Sequence, residues 1–323
     1  MTLLSRENPP SLVAEVRSMT HSSTTRSVAP GRSVLVTGTT GFVGKHLAKF
    51  LEDRGNDILA VERSAGGLRH SSKTTRVVRG DLSDKDFMSN LNAKVDAIVH
   101  AATNSGRRCP NLQQVQQDNI ESVRNLLAYA TRVECRQFIN LSSVSVHGDF
   151  SGSVLDRDAP LHGTTPYGAS KLAAENILRL QENLDVFSIR LPAVVGSFAP
   201  PHWLGRLLMQ ARQNKKLTCY NPHLFFNNVV HVEDLCQFVS HLIGLPERSI
   251  FSAFPIASAE ALRVRDVLQV IRSEARSLSR IELLGERQPH FIIDDNFARE
   301  RYGFTSVTTR EALQRFVRDE LAA

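Results

Sequence analysis

Short apolar runs alternate with amphipathic segments over the first two thirds of the chain. The run at 33–37 is rich in β-branched residues and ends at a glycine, which is typical of a strand buried on both faces. The segment at 42–54 repeats its apolar residues at helical spacing and stops before Gly55. The same patterns predict strands at 57–61, 76–78, 97–100, 137–141 and 186–191, and long helices at 111–130 and 166–183.

This alternation predicts an α/β fold with a doubly wound Rossmann parallel sheet, followed by a smaller C-terminal substrate-binding region. The sheet domain is expected to cover 31–190, with 229–258 returning to it through a strand at 229–232 and a helix from Glu233. The substrate-binding region is expected at 191–228 and 259–323. Residues 1–30 show no periodicity and are expected to form a flexible tail.

Composition and charge narrow the class of protein. The 323 residues are 41% hydrophobic and 22% charged, as in globular proteins. The chain has no apolar run of about 18 residues, so no membrane span is expected. The formal charge of +6 comes without dense Lys/Arg runs interleaved with aromatic residues, so no nucleic-acid partner is expected. Four scattered cysteines without a Cys-x-x-Cys pair predict no metal site and a reducing, cytoplasmic setting: Cys109, Cys135, Cys219 and Cys236.

A glycine-rich segment joins the first predicted strand to the first predicted helix. Glycines there allow a tight turn and close approach of backbone to a pyrophosphate, and the helix N-terminus favours anions. In this strand–turn–helix setting the segment predicts a dinucleotide site. Its candidate contacts are Gly38, Thr40, Gly41, Phe42, Val43 and Gly44.

Acidic residues after the second and third strands bear on the choice of dinucleotide. Glu62 lies 18 residues beyond Gly44, where a carboxylate accepts hydrogen bonds from the adenosine ribose and repels a 2′-phosphate. NAD is therefore favoured, although Arg63 could pair with that phosphate and leaves NADP open. Asp81 and Leu82 are placed to contact adenine, and a capping role in a turn is the alternative for Asp81.

Tyr167 and Lys171 begin the helix predicted at 166–183. Positions i and i+4 share a helix face, so the two side chains point the same way. A free tyrosine titrates at about pH 10, and lowering its pKa by about three units requires about 4 kcal/mol. A nearby, partly buried cation can supply much of that energy. The pair therefore predicts a centre for proton transfer.

These segments together resemble the extended short-chain dehydrogenase/reductase family, known also as the NAD-dependent epimerase/dehydratase family. The resemblance extends over about 33–234. It rests, besides the glycine loop, on Asp81-Leu82, His100-Ala101-Ala102, Ser142-Ser143-Val144-Ser145-Val146-His147-Gly148, Pro166-Tyr167-Gly168-Ala169-Ser170-Lys171 and Val230-His231-Val232-Glu233-Asp234, in this order.

The resemblance implies a role for each matching residue. Tyr167 would be the acid/base, Lys171 would bind the nicotinamide ribose and lower the tyrosine pKa, and Ser143 would hydrogen-bond the substrate oxygen. Asn119 would support the lysine through water. The resemblance also implies a homodimer through the two long helices, and further cofactor contacts from Ala101, Ala102, Pro192, Tyr167 and Lys171.

Several positions depart from the family's patterns. Val144 and Ser145 stand where 4,6-dehydratases have an Asp-Glu pair, so dehydration is disfavoured. Ala193 and Asn227 stand where nucleotide-sugar enzymes often have an Asn and an Arg that hold the diphosphate. Three arginines could compensate: Arg206, Arg212 and Arg287.

Three functional hypotheses stay open. The leading one is an NAD(P)-dependent enzyme that acts by hydride transfer at a sugar carbon, as an epimerase or ketosugar reductase, with a nucleotide sugar as its small-molecule substrate. The second is a reductase or dehydrogenase for an uncharged carbonyl or alcohol. The third is a non-catalytic, cofactor-sensing protein, which the presence of both Tyr167 and Lys171 disfavours.

Overall fold

The computed structural model describes residues 31–64, 74–104, 111–200, 202–246, 250–285 and 290–322. The tail expected at 1–30, Cys109 and Arg287 lie outside these ranges. The strands of the described chain are β1 (Ser33–Thr37), β2 (Asp57–Glu62), β3 (Thr75–Arg79), β4 (Ala97–His100), β5 (Gln137–Ser143), β6 (Val154–Leu155), β7 (Asp185–Leu191), β8 (Ala193–Val195), β9 (Leu217–Cys219), β10 (Phe225–Phe226), β11 (Val229–His231), β12 (Phe251–Pro255), β13 (Leu262–Arg263), β14 (Ile281–Leu283) and β15 (Ile292–Ile293).

The helices connect these strands or pack on them. They are α1 (Phe42–Glu52), α2 (Lys85–Asn90), α3 (Leu112–Arg132), α4 (Pro166–Arg179), α5 (Trp203–Arg212), α6 (Val232–Ile243), α7 (Val264–Glu274), α8 (Asn296–Tyr302) and α9 (Thr309–Ala322), with a 3₁₀ helix at Val144–His147.

Seven of the strands form one parallel sheet in the order β12-β7-β5-β4-β1-β2-β3. Strands β2 and β3 lie on one side of β1 in the sheet. The chain then crosses over, and β4 lies on the other side of β1. The carboxyl ends of β1 and β4 therefore flank the point where the strand order reverses, which is where open α/β sheets bind ligands. The doubly wound Rossmann sheet predicted from the sequence is confirmed.

Both faces of the sheet are covered, as the continuous apolar strands require. In β1, Val34 and Val36 face a core shared with α1, α6 and α8. Leu35 faces the opposite core, which it shares with α2, α3 and α4. A third cluster, separate from the sheet, is formed by α5, α7 and α9. Four two-stranded sheets accompany this region: β10-β13, β11-β8, β14-β9 and β15-β6.

Several element boundaries differ from the prediction, and two of these differences concern α4 and β11. The helix expected to reach residue 183 ends at Arg179, and its C-cap Leu180, which the pattern counts as apolar, is 77% exposed. The strand expected at 229–232 ends at His231, whose side chain caps α6. This strand, β11, pairs with β8, whereas β12 joins the central sheet beside β7. The division of the chain into a sheet domain and a substrate-binding region stays a prediction.

Over the described ranges, no helix combines the length and apolar character that crossing a bilayer requires.

Candidate active site

The glycine loop lies at the carboxyl end of β1, next to the end of β4. Gly38 has a φ of +72°, and a Cβ built on it would lie 2.6 Å from the Ala102 backbone nitrogen. A side chain at this position would collide with backbone, so the approach of the two strand ends requires glycine. Ala101 and Ala102 follow β4 and are half-buried at this junction.

The first turn of α1 faces this junction without a side-chain cap. Over the described residues, no side chain accepts a hydrogen bond from the N-terminus of α1, and its first turn contains no acidic residue. Uncapped N–H groups and the positive end of the helix dipole favour a phosphate. Thr40 and Gly41 are exposed before the helix, and Phe42 and Val43 are half-buried in its first turn, with Gly44 buried behind them. This cradle fits a dinucleotide pyrophosphate.

Glu62 is the last residue of β2 and is only 3% exposed. The Thr39 hydroxyl donates a hydrogen bond of 2.8 Å to its Oε1, which fixes the carboxylate beside the glycine loop. Arg63 follows at the rim, where its Nη1 lies 3.9 Å from Asp81 Oδ2 and 3.9 Å from Asp118 Oδ2.

Asp81 caps its own turn, which is the alternative role that the sequence left open for it. Its Oδ1 accepts hydrogen bonds from the Ser83 backbone nitrogen (2.9 Å) and hydroxyl (2.7 Å). Leu82 is buried beside it, and its carbonyl accepts a hydrogen bond from Asn125. Contacts of Asp81 and Leu82 with adenine stay a prediction.

A buried histidine joins the ends of β1 and β4. Thr37 Oγ1 accepts a hydrogen bond from the Ala102 nitrogen (3.1 Å) and lies 2.9 Å from His100 Nδ1. Burial, reinforced by the charge of Lys171, lowers the pKa of His100 to about 3. The ring is therefore neutral at physiological pH.

Three residues within four positions specify the start of α4. Thr165 caps the helix by accepting a hydrogen bond of 3.0 Å from the Gly168 nitrogen, and Pro166 occupies the first turn. A Cβ on Gly168 would lie 2.3 Å from the Ser145 carbonyl oxygen. Glycine therefore lets this turn, which carries Tyr167, pack directly on the 3₁₀ helix that follows Ser143.

Lys171 extends from α4 to the central sheet. Its Nζ donates a hydrogen bond of 2.9 Å to the Leu141 carbonyl oxygen and lies 5.9 Å from the centre of the Tyr167 ring. Burial lowers the pKa of Lys171 to about 8, while the carboxylate of Glu175 opposes that shift. The structure thus brings the ammonium close to the phenol, as the i, i+4 spacing predicts.

A buried ion pair lies behind the lysine. Glu175 and Arg190 are 0% and 2% exposed, and Arg190 Nη2 lies 3.0 Å from Glu175 Oε2. Ser142 donates a further hydrogen bond of 2.6 Å to Glu175 Oε1. Each charged oxygen thus has a partner, which burial of a carboxylate requires.

Ser143 ends β5 at the same edge of the sheet. Its Oγ accepts hydrogen bonds from the Ser145 nitrogen (3.1 Å) and hydroxyl (2.9 Å). Because both bonds are accepted, the Ser143 hydroxyl can donate its own proton to another oxygen.

Asn119 is buried in α3 and connects three segments. Its Nδ2 donates to the Asn104 carbonyl (3.0 Å) and to Ser170 Oγ (2.9 Å), and its Oδ1 accepts from the Asn104 nitrogen (2.7 Å). These bonds hold α3 against the loop after β4 and against α4, one residue before Lys171. Support of the lysine through water stays a prediction.

The positions at which nucleotide-sugar enzymes often hold the substrate diphosphate have other contacts in this structure. Pro192 is half-buried between β7 and β8, and Ala193 pairs with Val229 of β11. Asn227 forms two hydrogen bonds with the backbone of Ile293, one to its nitrogen (2.9 Å) and one to its carbonyl (2.8 Å). Its amide is thus part of the packing of β15.

Of the arginines that could compensate, Arg206 and Arg212 lie exposed on α5. No group of three His, Cys, Asp or Glu side chains in the described chain is arranged to hold a metal ion.

Sequence reasoning missed two contributors to this site. Glu175 could have been found, because it lies four residues after Lys171 on the same helix face. Asp118 carried no comparable signal, because its contact with Arg63 joins residues 55 positions apart.

Comparison with known proteins identifies the family. The sequence profile of the NAD dependent epimerase/dehydratase family matches residues 34–252. Two relatives are each 24% identical: the low-salt glycan biosynthesis protein Agl12 of Haloferax volcanii, over 80% of this chain and 87% of that protein, and a UDP-glucose 4-epimerase of Streptomyces lividans, over 74% and 79%. The crystal structure of the Bordetella bronchiseptica enzyme WbmG in complex with NAD and UDP has the same fold, with a TM-score of 0.78 and 17% identity over 89% of this chain and 94% of that one. The chain therefore belongs to the NAD-dependent epimerase/dehydratase family, the extended short-chain dehydrogenase/reductase enzymes.

Proposed function

We propose that this enzyme binds NAD and acts by hydride transfer at a carbon that bears a hydroxyl or carbonyl group, with Tyr167 as its acid/base. One observation carries the proposal: Lys171 is fixed to the Leu141 carbonyl oxygen and lies 5.9 Å from the Tyr167 ring at the edge of the sheet where the glycine loop also ends. When bound, NAD would supply a carbon that accepts or returns the hydride.

The three polar side chains then have distinct tasks. The Ser143 hydroxyl donates a hydrogen bond to the substrate oxygen and orients it toward Tyr167. The phenolate of Tyr167 takes the proton from that oxygen during oxidation, and the resulting phenol returns it during reduction. The ammonium of Lys171 favours the ionised phenol and holds the nicotinamide ribose. The buried Glu175–Arg190 pair keeps a negative charge near Lys171, which supports its protonated form.

A nucleotide sugar is the substrate we favour, with epimerisation or ketosugar reduction as the reaction. Relatives named as UDP-glucose 4-epimerases, and a structural neighbour solved with UDP, support this choice. Dehydration is disfavoured because Val144 and Ser145 offer no second acid and base, and the Ser145 hydroxyl is bonded to Ser143.

One observation favours a second candidate, a reductase for an uncharged carbonyl compound. Buried phosphate oxygens need cationic or amide partners. Ala193 has no polar side chain, and both polar atoms of the Asn227 amide are bonded to the Ile293 backbone. A substrate without a diphosphate would not need either position.

The two candidates differ in binding and in cofactor turnover. Native mass spectrometry of the purified protein would test for retained NAD and for binding of UDP-, GDP- and dTDP-sugars. An epimerase should convert its sugar with no net consumption of cofactor, whereas a reductase should oxidise NADH steadily. Failure of every nucleotide sugar to bind would contradict the first candidate. Unchanged turnover in Tyr167→Phe would contradict both.

A further inference from the structure

Arg63, which follows β2, lies between two carboxylates. Its Nη1 lies 3.9 Å from Asp81 Oδ2 and the same distance from Asp118 Oδ2. Asp81 follows β3, whereas Asp118 belongs to α3. One guanidinium thus contacts acidic groups brought together from two different elements.

Asp118 is the anchored member of this bridge. Its Oδ1 accepts a hydrogen bond of 2.6 Å from Gln114 Nε2, and its Oδ2 accepts one of 3.1 Å from Asn104 Nδ2. The Asp118 side chain is 19% exposed, whereas that of Arg63 is 68% exposed. The hydrogen bonds to Gln114 and Asn104 therefore position the Asp118 carboxylate, and the more exposed Arg63 side chain lies against it.

The charges at this rim oppose a further anion. Two carboxylates, those of Asp81 and Asp118, each lie 3.9 Å from this single guanidinium, and the acidic Glu62 precedes Arg63 in the chain. The 2′-phosphate that distinguishes NADP from NAD carries about two negative charges at neutral pH. An arginine beside the acidic residue of β2 is the usual partner of that phosphate, but here its charge is already matched.

We propose that Asp118 is a specificity-determining residue that excludes NADP, because it holds Arg63 away from the position of a 2′-phosphate. This inference rests on the proposed function, since it assumes a dinucleotide bound along the glycine loop. Replacing Asp118 with the isosteric amide should release Arg63, remove one negative charge and leave the shape of the crevice unchanged.

Isothermal titration calorimetry of the full chain with NAD and with NADP tests the proposal. The variants are Asp118→Asn, Arg63→Leu and their combination. Glu121→Gln is the matched control, because Glu121 is also an acidic residue of α3 but pairs with Arg124 (2.6 Å). We expect Asp118→Asn to lower the Kd for NADP by roughly tenfold while the Kd for NAD changes less than about twofold. This gain in affinity for NADP should shrink at high salt and disappear in the variant that also carries Arg63→Leu.

Three results would overturn the inference while leaving the proposed function intact: an unchanged Kd for NADP in Asp118→Asn, an equal gain in Glu121→Gln, or a gain that persists without Arg63. A wild-type protein that prefers NADP would also overturn it. A wild-type protein that binds neither dinucleotide would instead refute the proposed function, and the inference with it.

Discussion

Lys171→Met should make the protein inactive and yet more stable at neutral pH. The lysine is buried, and burial lowers its pKa from 10.5 to about 8. A lowered pKa means that the folded state holds the proton less tightly than the unfolded chain does. Keeping the charged side chain inside the fold therefore costs free energy at pH 7, and methionine removes that cost without removing the bulk of the side chain.

The size of the expected change in the free energy of unfolding follows from the pKa shift of Lys171. A difference of about 2.5 pH units corresponds to about 3 kcal/mol of destabilisation below pH 8. Methionine also removes the hydrogen bond to the Leu141 carbonyl oxygen, which costs about 1–2 kcal/mol. The expected net gain in free energy of unfolding at pH 7 is about 1–2 kcal/mol.

The pH dependence separates this effect from ordinary packing. Between about pH 8 and 10.5 the unfolded chain binds the lysine proton and the folded wild type does not, so wild-type stability gains from this group as pH rises. The advantage of Lys171→Met should therefore shrink over that interval and become a disadvantage of about 1–2 kcal/mol above it, where only the lost hydrogen bond to Leu141 remains. Urea unfolding at a series of pH values measures the difference, with Lys94→Met, an exposed lysine, as the control.

A Lys171→Met protein that is less stable than wild type at pH 7 would refute this reasoning. So would a stability difference that stays constant from pH 7 to pH 10.5, because the effect would then not arise from the ionisation of the lysine.

Further predictions concern the crevice, the buried ion pair and the quaternary structure. Gly38→Ala should abolish NAD binding in calorimetry while the protein stays folded by circular dichroism, because its Cβ would lie 2.6 Å from the Ala102 nitrogen; wild-type affinity would contradict the placement of the loop. Glu175→Gln should lower the free energy of unfolding by about 3 kcal/mol, because Arg190 loses its buried counter-ion, and should move the alkaline limb of the pH–activity profile to lower pH, because Glu175 raises the pKa of Lys171. An unmoved alkaline limb would show that Glu175 acts only on stability. Light scattering should find a homodimer, and Arg124→Glu combined with Ile120→Glu, on the half-buried and exposed face of α3, should give monomers if the two long helices form the interface; a monomeric wild type would contradict that prediction.

The elements that the sequence predicts well are those with a strong local pattern. Strand β1 is recognisable because residues on both of its faces are apolar, and the glycine loop because its turn and helix follow directly. Tyr167 and Lys171 could be paired because four residues are one turn of helix. Each of these features lies within a few neighbouring positions.

Most features that escaped prediction depend on partners elsewhere in the fold, which a local pattern does not show. Glu175 and Arg190 are charged residues, which a pattern of polar positions assigns to the surface, yet each is buried because the other neutralises it. The two-residue strand β15 pairs with β6 across more than a hundred positions, and so short a strand has no period of its own. Leu180 is the opposite case, an apolar residue in helical register that remains exposed.

The central claim is that Lys171 makes the phenol of Tyr167 acidic enough to exchange protons at neutral pH. An ultraviolet difference titration of the NAD complex, wild type minus Tyr167→Phe, measures this directly. Tyr129 does not interfere, because burial raises its pKa to about 12. We expect one tyrosinate to form at about pH 7 in wild type, and not in Lys171→Met. A Tyr167 that ionises only at about pH 10, as a free tyrosine does, would contradict the account.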